Sequence, residues 1–254
     1  MKAENQTSPD LLTRAHVVPF VVFMLFSLLL QIVTMWLGWK HPDAPWWRQD
    51  PAQIIYPIQT IVVLALMVHY WRCYTFSWSW KWSLIGVVFG AVGIGFWLLP
   101  TTLYDALGYE SEPDGIAGLL GVAERKEGFD PGLFDHPAAF WFSLVMRFIR
   151  AAVVVALMEE IFWRGFMMRF VCDWEGDYWK QPFGKATWLS FAVVTGLFMF
   201  AHGSVDYAGA LVYGTLTYLF CIWSKNLGAC VVMHAVANFL MGIYIMAYGK
   251  YGLW

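Results

Sequence analysis

Residues 147–171 read RFIRAAVVVALMEEIFWRGFMMRFV. At roughly 1.5 Å of rise per residue, a helix of this length is about long enough to cross a bilayer. Arg147 and Arg150 stand at one end and Arg169 at the other. The middle, where a membrane helix is normally apolar, holds Glu159, Glu160 and Arg164. One carboxylate at that depth costs about 2.5–3.5 kcal/mol on insertion scales. Two adjacent ones call for a use, and the rest of the chain can be searched for their partners.

The composition agrees with a membrane setting. Of 254 residues, 59% are hydrophobic and 13% charged, against about 25% charged in a soluble domain. The aromatic share is 19%, with 16 Trp, which suits rings placed at both lipid–water interfaces. A net charge of -2 without a basic patch argues against a nucleic-acid partner. Cys73, Cys172, Cys221 and Cys230 show no CxxC spacing and read as small apolar residues. The apolar run from His16 to Gly38 is too long for a signal-peptide core and lacks a small-residue cleavage site. It is expected to be a retained first span.

Working outward gives an all-α, multi-pass transmembrane bundle of about seven spans, with an eighth, interfacial or re-entrant helix as the variant. Span one covers about 16–38, span two about 52–73 and span three about 83–103. Gly86, Gly90 and Gly93 of span three are spaced to permit close helix approach. The loop KHPDAPWWRQDP at 40–51 reads as an interfacial turn, and residues 72–82 as a basic, aromatic interface loop. Residues 104–137 form a long polar connection with eight acidic residues against Arg125 and Lys126. The apolar stretch 138–146 is either an interfacial lead-in to span four or part of it. Span five covers about 186–202, span six about 207–223 and span seven about 227–248. Lys and Arg outside the spans lean toward a cytoplasmic N-terminus: Lys2, Arg14, Arg72, Lys81, Arg169, Lys180, Lys185 and Lys225 against Lys40, Arg48, Arg125, Lys126 and Lys250. Residues 1–254 read as a single membrane domain.

The polar residues of spans four to seven form a set. Glu160 and Arg164 are at i,i+4 and share a helix face. Glu159 is turned about 100° away from Glu160, so the two carboxylates need different partners. His234 and Asn238 are again at i,i+4, and His202 follows Phe198 by four with Gly203 just beyond. Each piece alone has a plain structural reading, as a buried ion pair or a packing pair. Together they are what hydrolysis needs. A desolvated carboxylate can take a proton from water, a neutral His can hold that water, and a second His with an Asn amide can donate to an oxyanion. A Ser or Cys nucleophile is not indicated, since no GxSxG appears. The same His and Glu residues can equally bind a divalent metal such as zinc, through Glu159, His202 and His234, although HExxH is absent.

The segments Glu159–Glu160–x–x–x–Arg164, Phe198–x–x–x–His202 and His234–x–x–x–Asn238 resemble the three motifs of the CAAX prenyl protease and bacteriocin-processing (CPBP) intramembrane proteases. The match covers about residues 140–250, with every motif position filled and in order. The chain is also similar to the bacterial, CAAX prenyl protease-related subset. The resemblance implies a helical bundle with a catalytic cavity inside it, in a bacterial inner membrane. By resemblance, Glu159 is the base that activates water, assisted by His202. Glu160 and Arg164 are the second carboxylate and its orienting partner, and His234 with Asn238 the oxyanion pair. The family is described both as metal-dependent and as metal-free, and these residues fit either. The expected function is an intramembrane endopeptidase acting on a membrane-associated protein or peptide. The alternative is a non-catalytic membrane protein of the same fold, in immunity, scaffolding or sorting. A transporter using buried carboxylates is a third class, opposed by the few polar residues in spans one to three.

Overall fold

The computed structural model describes residues 8–36, 45, 49–111, 113, 115–134 and 136–254. Lys2, Lys40, Arg48 and most of the expected turn at 40–51 lie outside the described residues. Among the described residues there are helices and no strands. Helix α1 spans Pro9–Trp36, α2 Ala52–His69, α3 Trp80–Ala106, α4 Pro137–Cys172, α5 Trp188–Phe200, α6 Tyr207–Ser224 and α7 Leu227–Tyr248. Six stretches, all but α5, are long and apolar enough to cross a membrane. The chain is a multi-pass membrane protein of about seven spans, as its sequence indicates.

Local chemistry sets the helix ends. His136 caps α4 by accepting from the Ala138 N–H, with Pro137 at the first helical position, where its missing N–H costs nothing. Thr187 and Ser190 form a reciprocal capping box at the start of α5. Asn226 accepts from the Ala229 N–H to start α7, and Lys225 takes the left-handed conformation that ends α6. Helices α6 and α7 are thus joined through Lys225 and Asn226, which forces them to lie antiparallel. Gly249, with φ of 64°, ends α7.

Two expected boundaries change. The apolar stretch 138–146 is part of α4, which is 36 residues long. At about 1.5 Å per residue that exceeds the roughly 30 Å apolar slab, so α4 is tilted or projects beyond it. Arg147 and Arg150 therefore sit well inside the helix rather than at its end. Helix α5 is shorter than the expected 186–202, with thirteen residues. The additional helix in the 104–137 connection is a five-residue turn at Gly115–Leu119.

Helices α3, α5, α6 and α7 and the second half of α4 share one core, around Phe198, Tyr213, Phe220 and Met233. Helices α1 and α2 and the middle of α4 share another, around Phe23, Val63, Met67 and Met158. The closest approach is between α3 and α7. A Cβ on Gly86 would lie 2.8 Å from the Ala229 carbonyl oxygen, and one on Gly90 2.4 Å from that of Met233. The expected glycine contact is thus made against backbone, which cannot yield as a side chain can.

The loops gather at two ends in the alternation that seven spans require. At one end the acidic connection docks onto the C-terminal turn. Arg125 pairs with Asp206 at 3.0 Å and donates to the Gly252 carbonyl, while Lys250 donates to Asp105 and to the Glu124 carbonyl. At the other end Thr13 bonds to Tyr178 and Trp179, and Gly228 packs on Ser77 and Trp78.

Gly90→Ala is expected to lower the unfolding temperature in detergent by an amount equivalent to about 1–3 kcal/mol, from overpacking. Gly95, with nothing within 4 Å of a Cβ, should tolerate Ala with no loss or a slight gain. Thermal unfolding followed by tryptophan fluorescence checks both.

Candidate active site

Helix α4 is not a uniform α-helix. Its turns widen to π geometry over Ile149–Val155 and again over Ile161–Met167, on either side of Ala156–Glu160. Such segments concentrate where a helix must re-aim side chains. In a regular helix Arg150 and Glu159, nine apart, would point about 180° away from one another. A π turn advances each residue by a smaller angle, and here both residues line one cavity.

The two adjacent carboxylates face different partners, as their 100° offset requires. Glu160 is fully buried. Its Oε1 accepts from Arg164 Nη1 at 3.2 Å and from His234 Nδ1 at 2.8 Å. Arg164 Nη2 donates in turn to the Thr217 hydroxyl. That hydroxyl is free to accept because its own proton goes to the backbone of α6, at Tyr213 or Gly214. The Arg164 guanidinium also lies 5.2 Å from the centre of the Phe198 ring. One carboxylate therefore ties α4 to α7 directly and to α6 through Arg164.

Glu159 points the other way, into a cavity of about 340 Å³. His202, His234 and Asn238 line the same cavity, with Trp97 and Tyr213 among the aromatic walls. Glu159 Oε2 is buried and has no hydrogen-bond partner among the described residues, leaving an acceptor for a ligand. His202 Nδ1 lies 2.7 Å from the Phe198 carbonyl. A carbonyl accepts and never donates, so Nδ1 carries the proton and Nε2 of the neutral ring is an acceptor. The same logic applies to His234, whose Nδ1 proton goes to Glu160. Its Nε2 donates only in the doubly protonated ring. Asn238 Nδ2 donates to the Ala151 carbonyl at 2.8 Å, which fixes the amide and leaves it a second N–H.

The sequence placed His202 at the end of a full span, away from the depth of Glu159 and His234. The short α5 removes the conflict. Thirteen residues rise about 20 Å, so α5 ends early and His202, just beyond it, lines the same cavity as the others.

Glu159, His202 and His234, the possible metal set, share the cavity. Among the described residues no group of three His, Cys, Asp or Glu is placed to hold a metal ion. Both histidines have Nδ1 engaged, by Glu160 and by the Phe198 carbonyl, as metal-ligating histidines commonly do.

Other residues at the site were not singled out by sequence. Thr217 is a lone hydroxyl on an apolar helix and gives no signal. Arg147 and Arg150 read as interfacial anchors because span four was begun at residue 147. Extending it through the apolar run 138–146 would have put both inside the bundle. Gln59 of α2 accepts from Arg150 Nε at 2.7 Å and donates to the Phe23 carbonyl and Ser27. Gln53 accepts from Ser143.

Residues 140–240 match the family model described as type II CAAX prenyl endopeptidase Rce1-like. Over this segment the chain is similar to the CAAX prenyl proteases. The match takes in α4 from its fourth residue, all of α5 and α6, and α7 through Leu240, so the whole constellation lies within it. No curated protein and no solved structure matches the chain. Helices α1 and α3, outside the matched segment, supply cavity walls through Phe20, Phe23, Ile94 and Trp97.

Removing Glu160 would leave Arg164 Nη1 and His234 Nδ1 buried without an acceptor, and the guanidinium without a counter-charge. Glu160→Ala is expected to cost about 3–5 kcal/mol, as for other broken buried pairs. Glu159→Gln, at the cavity wall, should unfold within a few degrees of wild type. Unfolding temperatures in detergent distinguish the two.

Proposed function

We propose that the protein is an intramembrane endopeptidase that hydrolyses a peptide bond of a membrane-associated protein or peptide. The observation carrying this reading is that one cavity collects an unpartnered carboxylate, two histidines with Nδ1 engaged and an oriented amide. The family-model match over residues 140–240 supports the same class.

In this mechanism Glu159 accepts a proton from a water molecule whose oxygen attacks the scissile carbonyl carbon. His202 Nε2, held as an acceptor by the Phe198 carbonyl, takes the water's other hydrogen in a hydrogen bond and aims its lone pair. The carbonyl oxygen becomes an oxyanion, which receives hydrogen bonds from the second N–H of Asn238 and from imidazolium Nε2 of His234. Collapse breaks the C–N bond, and Glu159 returns its proton to the departing amine. Glu160 and Arg164 position His234 without touching the reacting atoms. The helices embed this chemistry in the bilayer, and the charge count leans toward a cytoplasmic N-terminus in a cell membrane.

The test is co-expression of wild type and Glu159→Gln in the source's own membranes, with mass spectrometry of new C-termini in the membrane proteome. A terminus produced by wild type and lost, by about 10²-fold or more, in Glu159→Gln and in His202→Ala is expected. Cleavage that persists in purified Glu159→Gln would overturn the reading. No difference between folded proteins would favour a non-catalytic member of the fold, in which the Glu160 network serves packing alone.

A further inference from the structure

The cavity has a second polar region that the hydrolytic residues do not use. Arg147 and Arg150 line it on the side of the acidic connection, together with Trp254. Arg147 is 6% exposed. Its guanidinium sits 3.7 Å from the ring centre of Phe129, 4.8 Å from that of Tyr56 and 5.4 Å from that of Trp254. Arg150 lies over Tyr56 and Phe23 and gives Nε to Gln59. Among the described residues neither arginine makes an ion pair. Glu159 lines the same cavity as both arginines, and Asp50 lines a neighbouring pocket with Arg147. Asp206, on the same cavity wall, is engaged by Arg125.

Two guanidinium groups inside a membrane bundle are costly unless charge meets them. Ring faces and one amide oxygen orient them, and neither supplies a full negative charge. Gln59 fixes Arg150 through Nε, so its two Nη groups remain a fork for a planar or tetrahedral oxyanion. The neighbouring walls are apolar, with Phe20, Phe23 and Met24 from α1. The geometry points to an anion subsite at Arg147 and Arg150 that binds the oxyanion of an amphiphile, a carboxylate or phosphate carried on an apolar chain. This inference rests on the cavity being the substrate site. The anion has two sources, a carboxylate of the peptide substrate or the headgroup of an anionic lipid.

The experiment uses full-length protein carrying Glu159→Gln, so that peptides stay intact and binding is read independently of hydrolysis. In phosphatidylcholine nanodiscs, the Kd of N-acetyl-trileucine with a free carboxylate is compared with that of its C-terminal amide. In a second arm, protein extracted from mixed phosphatidylcholine and phosphatidylglycerol vesicles is assayed for retained phosphatidylglycerol. A preference of roughly ten-fold or more for the free carboxylate, lost in Arg147→Gln and Arg150→Gln and kept in Arg147→Lys, establishes the subsite with a peptide carboxylate as its ligand. Selective retention of phosphatidylglycerol with the same dependence on the arginines establishes it with a lipid headgroup. Equal affinities together with no lipid selectivity would overturn the inference, as would a preference that survives in the Arg147→Gln/Arg150→Gln double variant. If the Gln variants fail to fold, wild-type preference and the Arg147→Lys protein still decide. The cleavage assay stands apart: a failed subsite leaves hydrolysis by Glu159 untouched, and a failed hydrolysis test leaves these affinities as measured.

Discussion

The Glu160 carboxylate is the point on which the motif-bearing half of this bundle depends. It is fully buried, accepts from Arg164 and His234, and through Arg164 reaches Thr217. Its Oε1 carries both contacts while its Oε2 has no hydrogen-bond partner among the described residues, so the buried ion rests on Arg164 and His234. The cost of burying it is offset by fixing three helices relative to one another, and with them the ring of His234. Glu159, one residue earlier, can then be left without a partner because the structure around it is already determined. Stability and reactivity are divided between adjacent residues of the same type, by the 100° that separates them on the helix.

The architecture around this point trades space for proximity. Glycines at 86 and 90 bring α3 onto the backbone of α7, which presents His234 and Asn238 to α4. On the far side of α4, contacts from Gln53 and Gln59 hold α2 and order Arg150. Widened turns in α4 let one helix serve both sides, since a uniform α-helical period would direct Arg150 and Glu159 to opposite faces. The cavity is thus bounded by rigid elements on most sides, as a site that must hold a water and a peptide in fixed relation requires.

Much of this was legible in sequence because charge is so rare in these spans. Glu159, Glu160, Arg164, His202, His234 and Asn238 stood out against an apolar background, and their spacings assigned helix faces. The division of labour between Glu159 and Glu160 followed from one angle. What sequence could not carry was depth and pitch. The end of α5 is set by a capping box and by turn geometry after Phe200, and apolar residues such as Ala186 extend the hydrophobic run without extending the helix. The start of α4 was hidden because Arg147 and Arg150 mimic an interfacial boundary. The π segments leave no compositional trace, and the Thr217 contact exists through tertiary packing alone.

The brevity of α5 has a consequence for the surrounding lipid. Trp188, Leu189, Leu197 and Phe200 face outward from it, so acyl chains alongside meet an apolar wall of about 20 Å where they would otherwise span roughly 30 Å. The mismatch is relieved by local thinning of the leaflet or by headgroups sinking toward the turn after Phe200. Either response draws the aqueous phase down to the level of His202. The membrane beside this helix would then be the shallow place through which water reaches the cavity.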